Sequence, residues 1–110
     1  MTSAWVPDAG DVIWINFDPQ VGREQAGHRP AVVLTAAVYN RSSGLALCIP
    51  LTTQAKGYPF EVAIGGERPG VALVDHLKSL DWKRRHATAK GRVSERELQA
   101  IRAKLKKLVG

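Results

Sequence analysis

The first patterned stretch is GDVIWINFD, Gly10 to Asp18, where Val12, Trp14 and Asn16 fall on one face of an extended chain and Ile13, Ile15 and Phe17 on the other. Its β-branched and aromatic content predicts a strand, ended by Asp18-Pro19. A polar, glycine-containing loop from Gln20 to His28 follows. RPAVVLTAA is then a second strand, with Pro30 at its mouth, where a missing N–H does least harm. NRSSG, Asn40 to Gly44, reads as a turn by composition. LALCIPLT, Leu45 to Thr52, is a third strand, FEVAIGG from Phe60 a fourth, and GVALVDHLKSLD a fifth. The stretch from Ala87 to Val93 is short enough to close a sheet.

The final segment has a different period. SERELQAIRAKLKKLV places Leu98, Ile101, Leu105 and Leu108 at helical spacing, behind Ser94 and Glu97 at the positions of a capping box. Lys104, Lys106 and Lys107 lie near its C-terminal end, where cations complement the helix dipole and aid solubility. Short strands at close spacing followed by one helix predict a mainly β, α+β fold. The architecture expected is a small barrel or strongly curved sheet of about five to seven strands with a C-terminal α-helix.

A chain of 110 residues fits one domain, here 1–110, and its 45% hydrophobic and 24% charged content is the globular balance. Cys48, the single cysteine, lies in an apolar run and reads as a buried thiol. The N-terminus has no basic region followed by an apolar one, and no apolar run approaches the roughly 18 residues of a membrane span, so a soluble cytoplasmic protein with no membrane partner is expected. The net charge of +6 is uneven. Residues 1–77 hold five Lys/Arg against seven Asp/Glu, and residues 78–110 hold eleven against three, giving −2 and +8. A basic C-terminal third favours a polyanionic or acidic partner, although a solvated basic face has the same composition.

Several chemistries are excluded by spacing. His28, His76 and His86 are far apart and neither CxxC nor HExxH occurs, so no metal centre or other cofactor is expected. GxxxxGK[ST] and GxSxG are also missing. What remains is polar residues at strand ends: Glu24, Gln25, His28 and Arg29 from the first long loop, and Thr52, Thr53, Gln54 and Lys56 at the end of the third strand. Pairing of strands two and three would bring these ends together. A guanidinium bridging two phosphate oxygens beside a hydroxyl suits a phosphodiester and its pentacovalent transition state. A solvated loop and packing threonines fit the same spacing.

GDVIWINFDP, EQAGHRPAVVL, CIPLTTQAKGYPFEV, GVALVDHLKSLDW and the closing helix together resemble the MazF toxins of bacterial toxin-antitoxin pairs, the wider group called PemK-like, over essentially the whole chain. The resemblance implies an SH3-like (PemK-like) barrel, a homodimer, and a metal-independent, sequence-specific endoribonuclease. It would cut single-stranded mRNA by attack of the 2′-OH, leaving a 2′,3′-cyclic phosphate and a 5′-OH, and so inhibit translation and growth. An antitoxin similar to MazE, with an acidic disordered C-terminal tail, is the implied partner.

Carried over by position, Arg29 and Thr52 match the family's catalytic arginine and threonine, with Glu24 as a third catalytic candidate. Gly27, His28, Thr53, Gln54 and Lys56 match positions along the RNA path, and Lys83, Arg84 and Arg85, with Trp14, are expected at RNA, antitoxin or dimer contacts. A guanidinium, with an ordinary pKa of roughly 12.5 to 13.8, is a poor base at neutral pH. Arg29 is therefore expected to stabilise the phosphorane and donate a proton to the 5′-oxygen, and either Glu24 or His28 to ease away the 2′-OH proton. An ACA-like triplet is the target the resemblance suggests. Two other readings fit the same fold: a toxin that binds a protein such as DNA gyrase, and an RNA-binding barrel without activity.

Overall fold

The computed structural model describes residues 5–17, 28–66 and 69–110. Seven strands form one curled sheet in the order β4-β5-β3-β2-β1-β7, with β6 also pairing to β3. They are β1 (Asp11–Asn16), β2 (His28–Val33), β3 (Leu45–Thr52), β4 (Glu61–Ile64), β5 (Gly70–Leu73), β6 (Lys78–Asp81) and β7 (Thr88–Arg92), with helices α1 (Ala37–Ser43) and α2 (Glu95–Val109). The alternation in β1 has a direct consequence in the packing. Val12 joins Val32, Ile49, Ala72 and Val74 beneath Leu98 and Ile101 of α2, while Ile13, Ile15 and Phe17 pack with Val33, Cys48, Leu80 and Trp82 on the opposite face. A sheet with both faces buried needs apolar residues at both phases of the period, and curling supplies the cover.

β3 is the pivot. One edge runs antiparallel to β2, with Ala31 opposite Pro50 and Val33 opposite Cys48. The other edge pairs with β6 over Leu45 to Cys48 and then with β5 over Leu51 and Thr52. The segment GVALVDHLKSLD is thus two strands and not one, because Val74–His76 forms a 3-10 turn between the strand that pairs with Leu51 and Thr52 and the strand that pairs with Leu45 to Cys48. The second strand also ends earlier than its apolar run, at Val33. Ala37 to Ser43 is helical where NRSSG suggested only a turn, and Gly44 (φ 74) caps it in the left-handed region.

The Cys48 thiol is fully buried, and burial pushes its pKa up to about 12, which leaves it protonated and inert. The α2 capping box forms as its residues suggest: Ser94 Oγ accepts from the Glu97 N–H at 3.1 Å and Glu97 Oε1 accepts from the Ser94 N–H at 2.9 Å. The other Glu97 oxygen accepts from the Gly65 N–H at 2.8 Å, joining the helix start to the end of β4. These N–H groups, Gly65 first and then Ser94, hold the Glu97 carboxyl below its ordinary range. Its stabilisation is therefore present above the ordinary carboxylate range and is lost as pH falls through the lowered value. No helix among the described residues is long and apolar enough to cross a membrane.

Candidate active site

Arg29 stands at the start of β2 and Thr52 at the end of β3. Continuing the β2–β3 register by two residues places Arg29 across from Thr52, and both line a cleft of about 410 Å³. Pro30 and Pro50 explain why the strands can present polar groups here. Each lacks an N–H, and the β2–β3 ladder ends at the Ala31–Pro50 pair, while Arg29 stays paired with Ile15 of β1 and Thr52 with Val71 of β5. Thr53 and Gln54 line the same cleft from the β3 end. The Gln54 N–H donates to Thr52 Oγ1 at 3.2 Å, so the hydroxyl accepts from the backbone and keeps its own proton to donate outward.

The cleft also contains residues that sequence reasoning did not assign to it. Lys90 belongs to β7, where Gly91 pairs with Val12 and Ala89 with Ile13, leaving Lys90 as the extra residue of a β-bulge. Its ammonium lies 5.3 Å from the centroid of the Trp14 ring, and both residues line the cleft. The Lys90-Gly91 dipeptide inside a short strand was the available signal, since glycine in a strand often marks a bulge. Leu51, Ile64 and Gly70 complete an apolar wall.

Other candidates lie elsewhere. His28 stacks on Trp14 with ring centroids 5.9 Å apart, placing the imidazole beside the cleft. Lys56 and Gly57 donate backbone N–H groups to the Glu61 carboxylate, which ties the loop after Gln54 to β4. Lys83, Arg84 and Arg85 form the turn between β6 and β7. There Lys83 lies over Trp82, Arg84 pairs with Asp81, and Arg85 donates to the Asn16 carbonyl at 3.2 Å, holding the turn to the end of β1. Glu24 and Gly27 lie outside the described residues. No group of three or more metal-ligating side chains occurs among the described residues.

A guanidinium, a hydroxyl and an ammonium around one cleft on a curled sheet are the donor types that suit a phosphodiester. Residues 8–109 match the model of the PemK-like, MazF-like toxins of type II toxin-antitoxin systems. The chain belongs to this family. It is 59% identical to the endoribonuclease toxin MazF of Escherichia coli (strain K12) over 111 residues, covering 100% of both chains. The crystal structure of MazF from Deinococcus radiodurans superposes with a TM-score of 0.92 at 47% identity, covering 97% of this chain and 99% of that one. The MazE-MazF complex of the same organism superposes at 0.86 with 42% identity, covering 97% and 98%.

Proposed function

We propose that the chain, acting as one unit over residues 1–110, is the endoribonuclease toxin of a type II toxin-antitoxin pair, that it cuts single-stranded mRNA in the cytoplasm as a homodimer, and that Arg29 and Thr52 carry the chemistry. The observation that supports this most directly is the convergence of Arg29 and Thr52 on one cleft from two adjacent strand ends. The relatives named as endoribonucleases and the antitoxin complexes of Deinococcus radiodurans support the activity and the MazE-like partner.

In this reading the scissile phosphate sits between the Arg29 guanidinium and the Thr52 hydroxyl. The ribose 2′-oxygen attacks phosphorus, the bond to the 5′-oxygen breaks, and the products are a 2′,3′-cyclic phosphate and a 5′-OH. Charge accumulates on the non-bridging oxygens in the transition state, which two fixed donors stabilise more than the ground state. Arg29 also protonates the departing 5′-oxygen, while Glu24 or His28 accepts the 2′-OH proton. DNA binds without reacting because it lacks the nucleophile. Incubating the protein with a long RNA in EDTA and mapping the ends tests the proposal. Fragments ending in a cyclic phosphate and a 5′-OH are expected, and intact RNA would overturn it.

Lys90 supplies cation density at the cleft without a place in the bond-making step. Lys90→Ala is expected to weaken RNA binding and to reduce the slope of log affinity against log salt by about 0.7, the value for one phosphate contact on a single strand. Cleavage at saturating RNA should stay within about threefold of the parent, following the distinction between uniform and transition-state binding. An unchanged salt slope would place Lys90 away from the RNA.

A further inference from the structure

We infer that Gly70 is a positioning residue for the reaction, and that its missing side chain is what allows Thr52 to stand where the phosphate is held. The inference rests on the assignment of Thr52 above. Gly70 opens β5, and the next residue, Val71, is the register partner of Thr52. A β-carbon built on Gly70 would lie 2.6 Å from the carbonyl oxygen of Thr52, 3.3 Å from its carbonyl carbon and 3.8 Å from the α-carbon of Thr53. All three atoms are backbone, so no flexible side chain can move aside. Gly70 has no left-handed φ to explain it, unlike Gly66 at φ 110. Close approach is the reason for glycine here.

The contact bears on one residue. On its hydroxyl side Thr52 is held by the Gln54 N–H, and on its carbonyl side it rests against Gly70. The strand ends at this point, so Thr52 has β5 on one flank and the cleft on the other. Relieving a 2.6 Å contact requires Thr52 and β5 to separate by several tenths of an ångström or more, and Thr52 and Gly70 both border the cleft, so the separation changes the wall on which Thr52 stands. Displacing a reacting group by about 1 Å can cost on the order of 10²-fold in rate. Gly70 contributes no atom to the chemistry and acts through the Thr52 backbone.

Gly70→Ala tests this beside Gly65→Ala, a change just after β4 at a glycine outside the left-handed region, where the added carbon meets only the end of the Glu97 side chain at 3.7 Å. Once the cleavage site on a long RNA is mapped, turnover is measured on a chimeric oligonucleotide carrying one ribonucleotide at that site. Affinity is measured with the all-DNA version. Gly70→Ala is expected to lower kcat by about 10²-fold, with affinity for the DNA oligonucleotide within about threefold of the parent, as for a change that acts only in the transition state. Gly65→Ala should match the parent.

In a Thr52→Ala background the further loss from Gly70→Ala should shrink to within about threefold, because residues acting as a unit are not additive. Parental kcat in Gly70→Ala, an equal loss of DNA affinity, loss of a cooperative melting transition, or a full additional loss in the Thr52→Ala background would each overturn the inference. Parental kcat in Thr52→Ala alone would instead remove Thr52 from the chemistry, whatever Gly70→Ala does.

Discussion

Replacing Arg29 by lysine is expected to lower RNA cleavage by about 10²- to 10³-fold, the usual cost of losing one preorganised donor at a developing negative charge. Lysine keeps the charge but replaces a planar fork of donors with a single compact ammonium. A fork can bond two phosphoryl oxygens at once and follow them as the phosphorane forms, whereas an ammonium is held by its hydration and by one oxygen at a time. Arg29 also begins a strand whose next residue, Pro30, has fixed φ, so its backbone is set while the side chain reaches the cleft. Binding should survive, because affinity for a nucleic acid follows the number of cations near phosphates. The decisive measurement is turnover at saturating RNA together with affinity for a deoxy oligonucleotide. Near-parental turnover would remove Arg29 from the chemistry.

The second large effect falls on stability. Asn40→Leu, which keeps the branching and the number of heavy atoms but loses every polar atom, is expected to destabilise the fold by about 3 kcal/mol or more, at about 1–3 kcal/mol for each buried polar group left unpaired. Asn40 is fully buried. Its amide nitrogen donates to the carbonyls of Pro7 and Thr35, both at 2.8 Å, and its side-chain oxygen accepts from the Thr35 hydroxyl at 2.6 Å. Leucine would leave all three without their partner. The Asn40 carbonyl also accepts from the Trp82 indole at 2.9 Å, and Thr35 Oγ1 from the Leu47 N–H at 3.1 Å. The Asn40 and Thr35 side chains together therefore join the N-terminal segment, α1 and β3. At about 4–8 °C per kcal/mol for a domain of this size, the melting temperature should fall by roughly 12–24 °C. A melt within a few degrees of the parent would show that the carbonyls find other partners.

Asn40 illustrates why part of the fold was illegible. Asparagine and serine favour turns in isolation, since their side chains compete for local backbone groups. NRSSG therefore reads as a turn, yet Pro7, Thr35 and Trp82 supply partners that make a helix there favourable. The break at Val74 to His76 was hidden for a similar reason. It accompanies the exchange of partners along β3, from β6 to β5, which no local pattern in GVALVDHLKSLD records. The capping box at Ser94 and the two-faced β1 were legible, because one depends on neighbours three residues apart and the other on simple alternation.

The candidate site divides along the same line. Sequence by itself determined the chemistry available: an arginine at a strand mouth, hydroxyl and amide groups after another strand, no metal-binding spacing, and a basic C-terminal third. Side-chain type and local order carry that information. Only the tertiary structure decided which of these groups meet. Pairing of β2 with β3 brings Arg29 and Thr52 to one cleft, the bulge on β7 adds Lys90, and the Lys83 to Arg85 run is engaged with Asp81, Trp82 and Asn16 in a separate turn. The role of Gly70 was equally invisible, since a glycine that opens a strand carries no local mark of the neighbouring strand's carbonyl found where its side chain would be. Register, curvature and close approach are properties of segments far apart in the chain, fixed by packing both faces of one sheet at once.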